Sequence, residues 1–216
     1  MIGAAARESL RTAGILLAFA VGGTALLAYT HFRTDPIITA SEEQARTRLL
    51  TDVLGSVSFD NELLRDMIEL PPSPELGTLK PAPAYRARRG GQVAAVVLQA
   101  VAPDGYSGRI RLLVGIRADG ELTGVRVLSH HETPGLGDYV EIARSEWIRI
   151  FENKSLASLP AGAWKVRKDG GEFDYVVGAT VTPRAVIKAV RKALQYYEQN
   201  RGRLLDQPGE GAKRSP

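Results

Sequence analysis

Cysteine is absent from this chain of 216 residues, which excludes disulfides and thiolate metal sites. Its absence is compatible with an oxidising compartment. Histidine is scarce: His31, His130 and His131 are the whole set. Neighbours in an extended segment point to opposite faces, so His130 and His131 do not converge on one metal ion, and no metal site is expected. No Ser-His-Asp or Cys-His set can be assembled, and Asp174 with Glu132 as an acid/base pair has no supporting feature, so no catalytic residue is expected. Aromatic residues make up only 6% of the chain. The net charge of +4 and the pI near 9.4 therefore come without an aromatic-basic nucleic-acid module, and the scattered basic residues suit anionic lipid or an acidic partner rather than nucleic acid. No internal repeat is present.

Charge is also missing from Thr12 to Phe32, a run bracketed by Arg11 and Arg33. At about 1.5 Å per residue it spans roughly 30 Å, the thickness of a bilayer's hydrocarbon core. Gly14, Gly22 and Gly23 would let another helix pack closely. The run exceeds the ~7 to 15 residues of a signal-peptide core, and Ala18-Phe19-Ala20, which resembles a cleavage site, falls inside it, so it reads as an uncleaved anchor. Arg7, Arg11 and the α-amino group outweigh Glu8 on the N-terminal flank, whereas Asp35, Glu42 and Glu43 offset Arg33 beyond it. The positive-inside rule puts the N-terminus in the cytoplasm and the body of the chain outside it, which in a bacterium is the periplasm, behind a single pass through the inner membrane.

Ser41-Glu42-Glu43-Gln44 has the form of a capping box opening a stalk helix to about Leu54. A second helical stretch is expected near Asn61 to Leu70, then a connector marked by Pro71, Pro72, Pro74, Pro81 and Pro83 in which no regular structure is expected. Strands follow at Val93 to Val101, Ile110 to Ile116 and Leu122 to Leu128, the last two joined at Asp119-Gly120. Asp138 to Phe151 reads as a short helix with Trp147 on its core face. Val186, Ile187, Val190, Leu194 and Tyr197 mark the buried stripe of a final helix, with Lys188, Arg191 and Lys192 in water. The expected organisation is a cytoplasmic N-terminus (1–11), a transmembrane helix (12–32), a helical stalk and Pro-rich connector (33–84), an α+β domain with an antiparallel sheet and flanking helices (85–205), and a disordered tail (206–216).

Two segments carry the chemistry. In Asp174 to Pro183, Phe173 to Val177 reads as a short strand, Gly178 permits a close turn, and Thr182-Pro183 looks like an N-cap and first-turn pair. Thr180 then sits just before a helix N-terminus, where free amides and the macrodipole favour an anion, and Arg184 would add a charge-assisted contact. Taken alone, Gly178-Ala179-Thr180 also fits an ordinary helix cap. In Glu132-Thr133-Pro134-Gly135-Leu136-Gly137, Pro134 stiffens the loop, Gly135 and Gly137 allow close backbone approach, and Leu136 offers an apolar contact to a flat ligand. Lys165 is open between a solvated strand face and a contact to such a ligand or its phosphate.

Asp174, Gly178, Ala179 and Thr180 match a flavinylation motif, with Val177 standing where Ser or Thr is usual, and Glu132 to Gly137 resembles the companion loop of FMN-binding domains. Together with Gly105 to Arg109 and the Gly178 to Val186 ending, these segments resemble the G-subunit family of Rnf ion-translocating electron-transport complexes over nearly the whole chain. The resemblance implies FMN joined to Thr180 by a phosphoester bond that a flavin transferase makes. It also implies electron transfer of the ferredoxin/NAD type coupled to ion translocation, with the other subunits of the complex as partners. The NqrC family of sodium-pumping NADH:quinone reductases shares both motifs, although Thr182 to Val186 favours the Rnf family. A flavin-free, membrane-anchored binding or assembly module is the alternative of a different class.

Overall fold

A computed structural model describes residues 2–206, with the side chains of 2, 4–6 and 33–41 left aside. The tail expected to be disordered lies, beyond Asp206, outside the described residues. The chain divides into two compact units, Met1–Arg46 and Thr47–Pro216.

The first unit is one long helix. Helix α1 runs Ile2–Leu54, its last turns belonging to the second unit. Within it Arg7–Phe32 has a mean hydropathy of 1.8 and is long and apolar enough to cross a membrane. The hydroxyls in this apolar stretch are satisfied locally: Thr12 donates to the Glu8 carbonyl (3.0 Å) and Thr30 to the Leu26 carbonyl (2.8 Å). A Cβ at Gly14, Gly22 or Gly23 would meet nothing within 4 Å, so this face is open. No helix starts at Ser41, because helical backbone already precedes it, and the span and the stalk are one continuous element.

The second unit is built on a five-stranded antiparallel meander, β1 (Met67–Leu70), β2 (Ala82–Arg89), β3 (Gln92–Gly105), β4 (Gly108–Arg117) and β5 (Leu122–Ser129), in spatial order β1-β2-β3-β4-β5. Period-two alternation gives the sheet two apolar faces. Val96, Leu98 and Ala100 of β3 with Ile110, Leu112 and Val114 of β4 face the larger core, which helix α2 (Val181–Asp206) covers with Val186, Ile187, Val190, Leu194 and Tyr197. Lys188 stays exposed as expected, while Arg191 and Lys192 are half-buried. Ala95, Val97 and Leu113 face the other way, onto Leu50, Val53 and Leu54 at the end of α1.

That docking depends on Gly115 and Gly124, paired across β4 and β5. A Cβ on either would come within 2.9 Å or 2.8 Å of the Val53 carbonyl oxygen. Thr123 donates its hydroxyl to the same carbonyl (2.8 Å) and Arg126 donates to the Asp52 carbonyl (3.2 Å), which caps a helix end that has no basic residue of its own.

The three strands read from the sequence are present, each slightly longer than expected. Strands β1 and β2 correct two readings. Met67–Leu70 is a strand, not the end of a helix, because Asp66 and Asn61 are committed to β2. Asp66 accepts from Arg86 Nε (2.8 Å) and Arg88 Nε (2.5 Å), while Asn61 accepts from the Arg88 N–H (2.7 Å) and donates to the Arg86 carbonyl (2.9 Å). The connector's last prolines do not exclude regular structure, since Pro83 lies in β2 just before its pairing with β3 begins at Ala84. The helix expected over Asp138 to Phe151 is instead two short 3-10 turns, Asp138–Val140 and Glu146–Phe151. Ser145 separates them: its hydroxyl donates to the Tyr139 carbonyl (2.9 Å) and accepts from the Trp147 N–H (3.0 Å).

Candidate functional site

The two singled-out segments meet at the start of α2. Glu132, only 4% exposed, accepts the Thr182 hydroxyl on Oε2 and the Ser107 N–H on Oε1 (3.0 Å), and its own N–H donates to His130 Nδ1 (3.0 Å). A buried carboxylate needs such partners to be tolerated. Gly137 packs on this pair so closely that a Cβ there would lie 2.9 Å from both the Thr182 hydroxyl and Glu132 Oε2. Close approach, rather than positive φ, is what demands glycine at this position.

The loop itself is a compact turn. The N–H groups of Leu136 and Gly137 donate to the Thr133 carbonyl (3.1 and 3.0 Å), and Gly135, at φ 77°, donates to Asp138 Oδ1 (2.8 Å). Tyr139 then reaches across to the second segment: its hydroxyl donates to the Ala179 carbonyl and accepts from the Val176 N–H, both at 3.4 Å. Burial pushes this phenol up to about 12, while the Val176 N–H pulls it slightly the other way. Trp147, half-buried and edge-on to Tyr139 and Phe151, donates its indole N–H to the Asp174 carbonyl (2.7 Å). It packs against the core, as its size suggests.

These side-chain bonds correct the strand expected at Phe173 to Val177. Only a single parallel bridge forms, between Phe173 and Val166, because the next backbone groups bond to Trp147 and Tyr139 instead of to a partner strand. Gly178 takes φ 91° in the turn closed by the Ala179 N–H on the Val176 carbonyl (3.0 Å).

Thr180, half-buried, occupies the position flanking α2, and its carbonyl accepts the Arg184 N–H (3.4 Å). Thr182 is therefore not the N-cap. It lies inside the first turn, 2% exposed, with its side chain spent on Glu132, and Pro183 follows it in that turn. The Thr180 hydroxyl makes no hydrogen bond among the described residues. Asp174 is exposed and pairs with Arg167 (3.0 Å). Arg184 faces Asp169 in a two-pronged pair (2.6 and 2.7 Å), which raises the guanidinium and lowers the carboxyl from their ordinary values. Lys165 is exposed on a groove lined by Trp164, Asp169, Arg184 and Lys192.

Large apolar side chains left in water cluster on these same segments: Leu136, Val176, Val181 and Val177, the last 84% exposed. Such a concentration marks a surface for an apolar ligand or partner. A Cβ at Gly135 or Gly178 would meet nothing, so the backbone there is open to close approach. The first turn of α2 carries no acidic residue to compete for an anion. A planar ring system with a phosphate tail suits this combination, and Glu132, Thr133, Gly135, Leu136, Gly137, Gly178, Ala179 and Thr180 stand where they would meet it. Tyr139 and Ser107 escaped sequence reasoning. The signal for Tyr139 was slight, a tyrosine just past the loop that needs a partner for its hydroxyl once buried.

Residues 105–195 match the FMN-binding domain family, and residues 1–53 match the RnfG N-terminal region. The second unit is thus an FMN-binding domain behind an anchor helix. The G subunit of the ion-translocating oxidoreductase complex of Pseudomonas aeruginosa is 49% identical over 205 residues, covering 95% of this chain and 96% of that one. The proteins of the same name from Vibrio atlanticus and Pseudoalteromonas atlantica are 44% and 40% identical, covering 93% and 91% of this chain and 96% and 91% of theirs. The chain belongs to the family of ion-translocating oxidoreductase complex G subunits. The crystal structure of Shewanella oneidensis NqrC is also similar, at 22% identity and a TM-score of 0.46 over 70% of this chain and 80% of that one.

Proposed function

We propose that this chain is a membrane-anchored flavoprotein subunit of an ion-translocating oxidoreductase, carrying electrons on FMN esterified to Thr180. The observation that carries the reading is the meeting of the two segments at the start of α2, through Glu132 with Thr182 and Tyr139 with Ala179. FMN supplies the redox chemistry when bound, and the chain's task is binding, orientation and tuning. Thr180 offers an unengaged hydroxyl beside the amides of the first α2 turn, which would hold a phosphoester's oxygens. Leu136, Val176 and Val177 offer apolar contact to the ring and exclude water from one side of it. Tyr139 fixes the spacing between the two segments. Electron transfer of the ferredoxin/NAD type, a flavin transferase for maturation, the other subunits as partners and a periplasmic FMN domain complete the proposal, which rests for these on family membership and on the charge difference across Arg7–Phe32.

The test is fluorescence of flavin in a denaturing gel. Wild-type chain from cells with the transferase should fluoresce and Thr180→Ala should not, while both keep the same thermal unfolding. Fluorescence retained in Thr180→Ala would move the acceptor elsewhere, with Thr182 excluded in turn by its burial. A periplasm-dependent reporter fused after Asp206 should be active, and activity only from a cytoplasm-dependent reporter would reverse the topology.

A further inference from the structure

On the sheet face opposite α2, the end of β4 builds a second site that the flavin chemistry does not use. Arg111 lies between Val101 of β3 and Ser129 of β5, its partners in register, and Arg109 projects two residues away on the same face. The segment Gly77–Pro81 overhangs them and closes a groove of about 560 Å³.

The overhang is fixed in place. The Val101 N–H donates to the Leu76 carbonyl (2.8 Å), and Gly77 sits so close to β3 that a Cβ would lie 2.2 Å from the Val101 carbonyl oxygen. Ser73 and Thr78 lock the segment to itself, the Thr78 N–H donating to the Ser73 carbonyl and the Ser73 N–H to Thr78 Oγ1, both at 3.1 Å. Lys80 enters the groove from this wall, beside Leu79, which is 73% exposed.

The charge here is one-sided. Lys80, Arg109 and Arg111 line the groove, no acidic residue does, and none of the three makes an ion pair or hydrogen bond among the described residues. Elsewhere on this unit exposed cations are matched, Lys188 with Asp104 and Arg184 with Asp169. Two guanidiniums on alternate residues of one strand stand roughly 7 Å apart at the backbone and repel unless an anion bridges them. The Ser129 hydroxyl and the Gln99 amide add neutral donors. Donors converging from three sides suit a tetrahedral oxyanion better than a flat carboxylate, and Leu79, Pro81 and Val101 supply an aliphatic flank.

We propose that this groove binds a phosphate ester, with the phosphate between Arg109, Arg111 and Lys80 and an aliphatic part against Leu79. His131, which also lines the groove, is the residue before Glu132, so the two sites share one stretch of backbone, back to back.

The experiment uses the full chain in detergent, titrated by calorimetry with inorganic phosphate and, separately, with dihexanoyl phosphatidylglycerol below its micelle concentration. Arg109→Gln/Arg111→Gln should weaken binding about tenfold or more, the loss of at least one charge-assisted contact. Lys165→Gln/Lys192→Gln, in the other basic groove, should leave it unchanged. Hydrogen exchange at residues 77–82 should slow on binding in the wild type only. Equal affinity for the two probes means that the phosphate alone is recognised, and at least about tenfold tighter binding of the lipid identifies a headgroup site. Lys80→Gln, on the exposed wall, repeats the test without touching the sheet. No saturable binding of either probe, or wild-type affinity in both the arginine and the Lys80 variants, would overturn the proposal. Repetition in Thr180→Ala separates this site from any phosphate bound at the start of α2.

Discussion

Thr182 donates its hydroxyl to Glu132, fifty positions earlier in the chain, and through that carboxylate the first turn of α2 is joined to the loop after β5 and to Ser107 between β3 and β4. Thr182→Val keeps the shape and removes the donor, leaving a buried carboxylate with one partner fewer. The cost is about 1–3 kcal/mol, or a fall of several degrees in the unfolding midpoint of the full chain. Thr182→Ser, which keeps the hydroxyl, should restore most of it. An unchanged midpoint in Thr182→Val would mean that this contact is incidental to the clasp.

Tyr139 is the second clasp, and its hydroxyl serves the turn rather than the core. Tyr139→Phe keeps the ring's packing on Trp147 and loses the bonds to Val176 and Ala179. A modest loss of stability, about 1 kcal/mol, is expected, together with faster hydrogen exchange at Val176 to Ala179. Exchange in this turn at the wild-type rate would show that other contacts hold it.

How much of this was legible depended on where the partners lie. Strands β3 to β5 announce themselves by alternation and by Asp119-Gly120, and α2 by the stripe from Val186 to Tyr197. Strand β2 does not, because its Arg86 and Arg88 look like solvent positions until Asp66 is found beside them. Thr182-Pro183 reads as a cap for the same reason: the residue that claims the Thr182 hydroxyl is remote in sequence. The loop Glu132 to Gly137 was visible as a motif, but its link to the α2 start, through Tyr139, has no local sequence signal.

The end of α1 docks on two glycines, which makes the contact easy to break selectively. Gly124→Ala would place a methyl 2.8 Å from the Val53 carbonyl oxygen, backbone that cannot rotate away. We expect a destabilisation of about 1–3 kcal/mol and loss of protection for the bond from Thr123 to Val53. Gly90→Ala, where a Cβ would meet nothing, costs only what its φ of 58° imposes and serves as the comparison. Equal stability of the two variants would argue against a tight seat for α1.

Alkaline pH should unfasten two tyrosines late. Burial holds both Tyr139 and Tyr197 up to about 12, against 10 for a free phenol. The folded state keeps these protons more tightly than the unfolded state, so their contribution is complete below about pH 10 and is lost as pH rises towards 12. Near-ultraviolet titration of the seven tyrosines should reveal a late-ionising group coincident with unfolding. Tyr139→Phe should remove part of that late step. Ionisation of all phenols near 10 with the fold intact would contradict the burial argument.

Gly135 isolates what backbone conformation alone contributes to the loop. Its φ is 77°, yet a Cβ there would meet no atom within 4 Å, so Gly135→Val is strained by torsion and not by collision. A β-branched residue in this region costs on the order of 1–3 kcal/mol. Relief comes from moving the peptide, which breaks the Gly135 N–H bond to Asp138 and shifts Leu136 with it. If Glu132 to Gly137 lines the flavin ring, the variant should still be labelled at Thr180 but show a changed absorbance spectrum or midpoint potential. Gly135→Asn, which tolerates positive φ, should return both towards wild type. A folded, flavin-bearing Gly135→Val with unaltered spectrum and potential would make this loop a clasp for α2 only, and would assign the ring to Val176, Val177 and Val181 instead.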